Sequence, residues 1–518
     1  MISNAVVSIN FGTEVGAFAR RLLAVVLITL PPQGVSQVIP TLGDLNRQEL
    51  SPRAERQFGE QIMREFRRDP DFLDDAPLLE YLNNFGSNLV NARPDVRGEA
   101  VFDYSFFAVR DPVLNAFALP GGFVAVHSGL ILAAQSESEL ASVVAHEIGH
   151  VAQRHIARML GQQRQDALLP LAGLLLAILA SRAGPDGSFA ALAGTQGLAI
   201  QRQLNFSRDA EREADRVGLQ LLQATDYDTS GMVAFFGRLQ SASRNFNDVA
   251  PSFLRSHPLT TERIADIQAR IGGQRYRQRI DSLDFQLIRA RVRVLQDGSV
   301  QGIQDAAIVF EEQTHLQNSP LAIAGRYGLS LVALRQKSPD RALKALQQAR
   351  SLARQSPGPT KVATDNAIFE SLAIDIAMAD PQSNARHAAA VAEADSGRTR
   401  FPLSRGIALQ YADALFEADR VDELIRYLRD QAQLYRQEPR LQDRLAKAYA
   451  AQGRIALQHI ALAESYALAG DTQPALDQLL IARRAPDASY YDQSVIDARE
   501  RELQAKRRDE IAEEKKAK

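Results

Sequence analysis

The residues with the most legible chemistry are two histidines four apart, His146 and His150, with Glu147 beside the first. On a helix of 3.6 residues per turn, rings at that spacing stand about 40° apart around the axis. Both imidazoles then point the same way and can grip one ion, and neutral imidazole is a ligand that Zn²⁺ favours. Glu147 adjoins the first ligand and is suited to take a proton from water activated by the metal. A catalytic zinc site needs a third protein ligand and leaves the fourth position open. The helix that starts near Arg208 offers three carboxylates, Glu211, Glu213 and Asp215. Glu211 and Asp215 share a face and Glu213 points elsewhere. One of the pair can ligate while the other braces the site from behind.

These residues need rigid elements to hold them. Leu140–Leu160 reads as a helix with apolar residues on both flanks of the motif, where an unpaired polar group is costly. Ser136, with Glu139 three residues on, makes a capping box at its start. Upstream, residues 51–92 carry helical periodicity in two pieces, separated by Asp69-Pro70 and Asp74–Pro77. Val101–Val109 alternates and is rich in aromatic and β-branched residues, so it predicts a strand. Asn115–His127 reads as strand, Pro-Gly-Gly turn, strand. A small antiparallel sheet is therefore expected just before the metal helix, with an edge that can pair with an extended peptide.

Two apolar stretches flank this unit. Residues 1–36 have the form of a secretory signal peptide: Arg20-Arg21, the apolar Leu22–Leu30, Pro31-Pro32, then Gly34 and Ser36 for cleavage. After the motif, Ala167–Ala180 has no charge but is too short for a comfortable membrane span. Together with Ala190–Ile200 it reads as a lid over the cleft, or as an interfacial hairpin making peripheral membrane contact through 167–200.

Composition narrows the remaining options. A chain of 518 residues is too long for one ordinary core, so two or more domains are expected. A net charge of −2 gives no argument for nucleic acid. The absence of cysteine excludes disulfides, thiolate metal sites and a cysteine nucleophile. From about residue 276 the pattern becomes helix-turn-helix, with helices predicted at 322–334, 341–353, 369–378, 385–394, 407–417, 423–435, 441–450, 457–468 and 474–483. The turns at Asp419 and Gly453 are thirty-four apart, the tetratricopeptide period. Such an array offers a concave surface for partners. The expected organisation is a signal at 1–36, a domain carrying the metal motif at 37–272, a repeat domain at 276–498 and a charged tail at 499–518 that is frayed or disordered.

The motif HEIGH, the preceding NAFALPGG hairpin and the Glu-x-x-x-Asp element about sixty residues later resemble the HtpX-like and CAAX-prenyl-protease-like family of zinc metallopeptidases. The soluble exported branch fused to tetratricopeptide repeats is the more similar one. The resemblance implies an α+β fold: a mainly helical zincin-type peptidase domain with a small antiparallel sheet, followed by an all-α repeat solenoid. It implies one Zn²⁺ held by His146, His150 and Glu211. Glu147 and Asp215 would be the catalytic carboxylates, Glu147 as general base and Asp215 bracing the ligands. It also implies a periplasmic endopeptidase acting on unfolded or misassembled outer-membrane proteins, with the barrel-assembly machinery as a partner. The rival is a chaperone or adaptor whose metal site is largely self-inhibited.

Two further histidines bear on the site. His155 lies five residues past His150 and is rotated by about 140° on a continuous helix, so it cannot share the ligand face. A structural or bracing use is expected for it. His257 precedes Pro258 in a loop before the helix Thr260–Ile271. In the resembled proteins a histidine in such a loop can occupy the open zinc position, which would make His257 a regulatory ligand that must leave before substrate enters.

Overall fold

The computed structural model describes residues 50–98, 100, 102–162, 208–245, 253–254, 257–272, 279–316, 319–355, 366–379 and 384–516. The expected signal at 1–36 and the apolar stretch at 167–200 lie outside the described residues. Among those described, no helix is long and apolar enough to cross a membrane.

Two helices lead, α1 (Pro52–Arg68) and α2 (Ala76–Ala92). Each starts where its side chains dictate. Ser51 and Asp75 accept amide hydrogen bonds from Ala54 and Leu78, and a proline sits in each first turn, where its missing N–H costs nothing. Then come β1 (Ser105–Val109), β2 (Ala116–Leu119) and β3 (Phe123–His127).

The sheet corrects one expectation: it is mixed, not antiparallel. The order is β1-β3-β2, with β2 antiparallel to β3 and β1 parallel to it. The β2–β3 hairpin forms as read, around Gly121 and Gly122 at φ 79° and 97°, a backbone region that favours glycine. All five residues of β3 are buried, so β3 takes the centre, where both edges are paired. Strand β1 runs to the far edge. The segment between β1 and β2 is held under the end of β3, where Asp111 accepts from the amide of Gly129 at 2.8 Å and exchanges hydrogen bonds with Ser128.

Beyond the sheet lie a short α3 (Ser128–Ala133), the motif helix α4 (Glu137–Ala152) and α5 (His155–Gln162). All 16 residues of α4 are buried. Its cap differs slightly from a capping box. Ser136 Oγ accepts from the Glu139 amide, but the Glu139 carboxylate reaches the amide of Gln135, one residue earlier, and pairs with Arg238. The helices α6 (Arg208–Ala224) and α7 (Ser230–Asn245) pack on α4, and α8 (Thr261–Ile271) packs on both of them.

The remaining chain is helical: α9 (Leu283–Gln296), α10 (Val300–Thr314), α11 (Pro320–Arg335), α12 (Pro339–Gln355), α13 (Ala367–Met378), α14 (Asn384–Arg400), α15 (Arg405–Glu417), α16 (Val421–Leu434), α17 (Pro439–Ala451), α18 (Ile455–Ala469), α19 (Thr472–Arg484) and α20 (Tyr490–Lys516). Packing is dominated by sequence neighbours, α10 on α11, α11 on α12, α17 on α18 and α18 on α19. Lys337, Asp419, Gly453 and Gly470 adopt left-handed φ at the helix ends and turn the chain back. The apolar core around α4 does not stop near residue 272. It continues through Phe285, Ile288, Phe310, Tyr327 and Phe369, so peptidase and array share one core. The charged segment from Arg499 continues α20 without a break, and Leu503 is buried against the preceding helices.

Candidate metal centre

Helices α4 and α6 lie in close contact because small residues face each other. A Cβ on Gly149 would stand 2.8 Å from the Ala214 Cα, and one on Gly218 3.2 Å from the His146 amide nitrogen. Any larger residue at 149 would push α6 away and carry Glu211 out of reach.

At that contact, ligand atoms of His146, His150, Glu211 and His257 all come within 4.8 Å of one another, and all four residues are buried. His146 Nε2 and His150 Nε2 are 3.1 Å apart, and each lies 3.4 Å from a Glu211 carboxylate oxygen. His257 Nδ1 is 3.4 Å from His146 Nε2 and 3.0 Å from Glu211 Oε1. Tetrahedral zinc with bonds of about 2.0–2.1 Å sets its ligand atoms roughly 3.3 Å apart. The donor set is nitrogen and carboxylate oxygen, the separations of 3.0–3.4 Å are close to a tetrahedron's edge, and both oxygens of Glu147 are buried without a hydrogen-bond partner. The residues present therefore fit zinc.

The sequence left Glu211, Glu213 and Asp215 open as third ligand. Glu211 faces the two rings. Asp215 lies one turn on, with Oδ1 2.9 Å from His146 Nδ1, the bracing position. Glu213 points to the other side and meets His155 at 3.0 Å. His257 stands between the ligands and Glu147, its Nε2 3.4 Å from Glu147 Oε1 and its ring 4.7 Å from that of Phe253.

One residue escaped the sequence reading. Arg263, on α8, is buried; its Nε and Nη2 each lie 2.8 Å from a different oxygen of Asp215. Its Nη1 is 2.6 Å from Glu211 Oε2 and donates to the Pro258 carbonyl at 2.8 Å. A signal existed: Arg263 is four before Ile267, the other residue of α8 that is buried, so the two share the inward face.

Charge in this pocket is strongly coupled. Burial pushes the Glu147 carboxyl above its usual range, against the pull of His257 and His146. Burial would also raise Glu211, but His257, His146 and His150 outweigh it and hold the carboxylate well below its ordinary value. Burial would lower His146, yet the hydrogen bonds and charges of Asp215 and Glu211 push it up to about 10 in the metal-free protein. Burial takes His150 well below the ordinary histidine value, against the pull of Glu211.

Comparison with known proteins agrees with this chemistry. The profile of Peptidase family M48 matches residues 82–271, which hold every residue of the cluster. The beta-barrel assembly-enhancing protease of Yersinia pestis is 31% identical over 472 residues, 91% of this chain and 92% of that protein. A Vibrio cholerae relative is 36% identical over 311 residues, 60% of this chain and 63% of that protein, so the chain spans just under two thirds of it. The mitochondrial metalloendopeptidase OMA1 of Arabidopsis thaliana is 32% identical over 155 residues, 30% of this chain and 29% of that protein. With a near-full-length relative and a family profile laid over the same buried histidines, the chain belongs to peptidase family M48 and is a zinc metallopeptidase.

Proposed function

We propose that this chain is a periplasmic endopeptidase that cleaves unfolded or misassembled outer-membrane proteins, with its helical array docking them or the barrel-assembly machinery. The single observation that carries the reading is the cluster itself: three residues with ligand atoms at zinc spacing, and beside them a buried carboxylate that accepts no hydrogen bond. The outer-membrane part rests on the Yersinia pestis relative, whose name is that of a beta-barrel assembly-enhancing protease.

In this reading His146, His150 and Glu211 hold zinc, and Asp215 keeps the His146 ring oriented with its Nε2 toward the metal. Zinc, when bound, supplies Lewis acidity toward water and the scissile carbonyl. Glu147 takes a proton from the attacking water and delivers it to the leaving amine. Strand β2 is the edge of the sheet beside α4, and among the described residues no strand pairs with its outer side. An extended substrate can add there through main-chain hydrogen bonds, which demand little of its sequence.

The rival, a chaperone or adaptor with a silenced metal site, is favoured by one observation: His257 stands where an open fourth position would be. The array at 276–498 is read here as tetratricopeptide-type repeats that bind clients in either case. Cleavage of an unfolded outer-membrane protein by wild type, Glu147→Gln and His257→Ala separates the readings. The peptidase reading expects Glu147→Gln to lose about 10²–10⁴-fold in rate and His257→Ala to gain. Cleavage that survives Glu147→Gln sinks the catalytic assignment. Equal client protection by wild type and Glu147→Gln, with proteolysis from neither, supports the chaperone.

A further inference from the structure

The two histidines at the heart of the cluster are not supported in the same way. His146 has Asp215 on its Nδ1. The corresponding nitrogen of His150 faces another histidine: His155 Nδ1 lies 2.9 Å from His150 Nδ1. On the far side of that ring, His155 Nε2 is 3.0 Å from Glu213 Oε2, and Arg158 Nη2 donates to the same oxygen at 3.1 Å.

A continuous helix could not make this contact, because it would turn residue 155 about 140° away from residue 150. The chain breaks the helix instead. Helix α4 ends at Ala152, and Arg154 takes φ 51°, a left-handed conformation uncommon for a residue other than glycine. Arg154 is anchored there: its guanidinium lies 2.9 Å from the buried Glu55 Oε2 and also donates to the Leu50 carbonyl. Arg158 Nε closes the break by donating to the Gln153 carbonyl at 2.9 Å. Helix α5 restarts at His155 with its ring against His150. Strained backbone that the surroundings hold in place is a feature of functional sites.

We infer that His155 and Glu213 are positioning residues for His150, a two-part arm that fixes which ring nitrogen of His150 carries its proton. The proton positions follow from the geometry. If His150 ligates through Nε2, the neutral ring carries its proton on Nδ1. That N–H donates to His155 Nδ1, which must therefore be bare. His155 then carries its proton on Nε2 and donates it to Glu213. Each contact is satisfied by one arrangement, and that arrangement leaves the His150 Nε2 lone pair facing the cluster. Asp215 does the same for His146 directly; on the other side a histidine and a glutamate share the task.

This inference rests on His150 being a metal ligand, and the test separates the two. Zinc affinity of the purified full-length chain is measured by competition with a chelator, alongside the melting temperature of the metal-free protein. Removing a ligand's orienting partner typically costs about 10–100-fold in metal affinity. His155→Phe is expected to weaken zinc binding within that range. His155→Gln should recover most of the loss, because an amide oxygen can accept the Nδ1–H. Glu213→Ala, at a half-exposed position that the fold tolerates, should weaken binding several-fold, and Glu213→Gln less. If His155→Phe does not fold, the Glu213 pair carries the test alone. Wild-type affinity in folded His155→Phe or in Glu213→Ala overturns the arm, as does a His155→Gln as weak as His155→Phe. If His150→Ala itself binds zinc like wild type, the ligand reading has failed, not the arm.

Discussion

Two of the charged clusters among the described residues are built to different ends. One is the metal centre. The other lies where α2 meets the helical array. There Arg291 of α9 points Nε at Asp75 Oδ1, 2.6 Å away, and Nη1 at the Tyr327 hydroxyl, 3.0 Å away. Its Nη2 lies 3.6 Å from Asp375, which also accepts from Gln410 at 2.6 Å. This cluster supplies its own donors and closes. In the metal centre Arg263 satisfies Asp215, yet the two Nε2 atoms still face each other at 3.1 Å and the Glu147 oxygens accept no hydrogen bond. Burial alone does not make a site. A site is marked where buried acceptors converge and the protein's own donors run short, so that an external cation completes the set.

The largest effect is expected at Arg291. Arg291→Ala leaves the part-buried Asp75 and Asp375 without their cation, which should cost up to about 3–5 kcal/mol, read as a lower urea midpoint. The protein still folded should keep its zinc stoichiometry. Loss of zinc from the folded fraction would mean the two clusters are one network. Next in size, Asp215→Ala should weaken zinc binding about 10–100-fold in a chelator competition, whereas removal of Gln410's amide contact at the junction should leave zinc untouched.

Acidity sharpens the contrast. The His146 ring is pushed up to about 10 in the metal-free protein, through Asp215 and Glu211 acting against burial. Its contribution to stability is fully present below the unfolded value of about 6.5 and is lost as pH rises through about 10. Zinc takes the neutral ring, so uptake inside that window must expel the proton. Apparent zinc affinity is expected to rise with pH there, by up to about tenfold per unit. An affinity that stays flat from pH 7 to pH 9 would remove His146 as the group that titrates. The smallest effect belongs to the start of α4. Ser136→Ala loses the acceptor for the Glu139 amide and should cost about 1 kcal/mol, a melting shift of a few degrees, with zinc affinity unchanged.

Much of the site was legible because much of it is local. The spacing of His146 and His150, the glutamate between them and the cap at Ser136 follow from helix geometry and from residues within one segment. The hairpin at 115–127 was readable for the same reason, since Pro120-Gly121-Gly122 specifies its own turn. The parallel pairing of β1 with β3 was not, because register between distant strands depends on which strand is buried on both faces. Arg263 was missed because its partners, Glu211 and Asp215, lie about fifty residues earlier. The close approach of α6 was equally hidden in two glycines and an alanine that have no chemistry of their own.

Periodicity and side-chain type, which act over one or two helical turns, determined that a zinc-grade histidine pair with a base would stand on a buried helix. Tertiary structure decided the rest. Close packing of α6 on α4 brought Glu211, of three carboxylates, to face the two rings, and the loop before α8 carried His257 to join them. A left-handed Arg154, held by a glutamate ninety-nine residues away, swung His155 back onto His150. Such choices depend on contacts between segments far apart in the chain, and no local spacing encodes them.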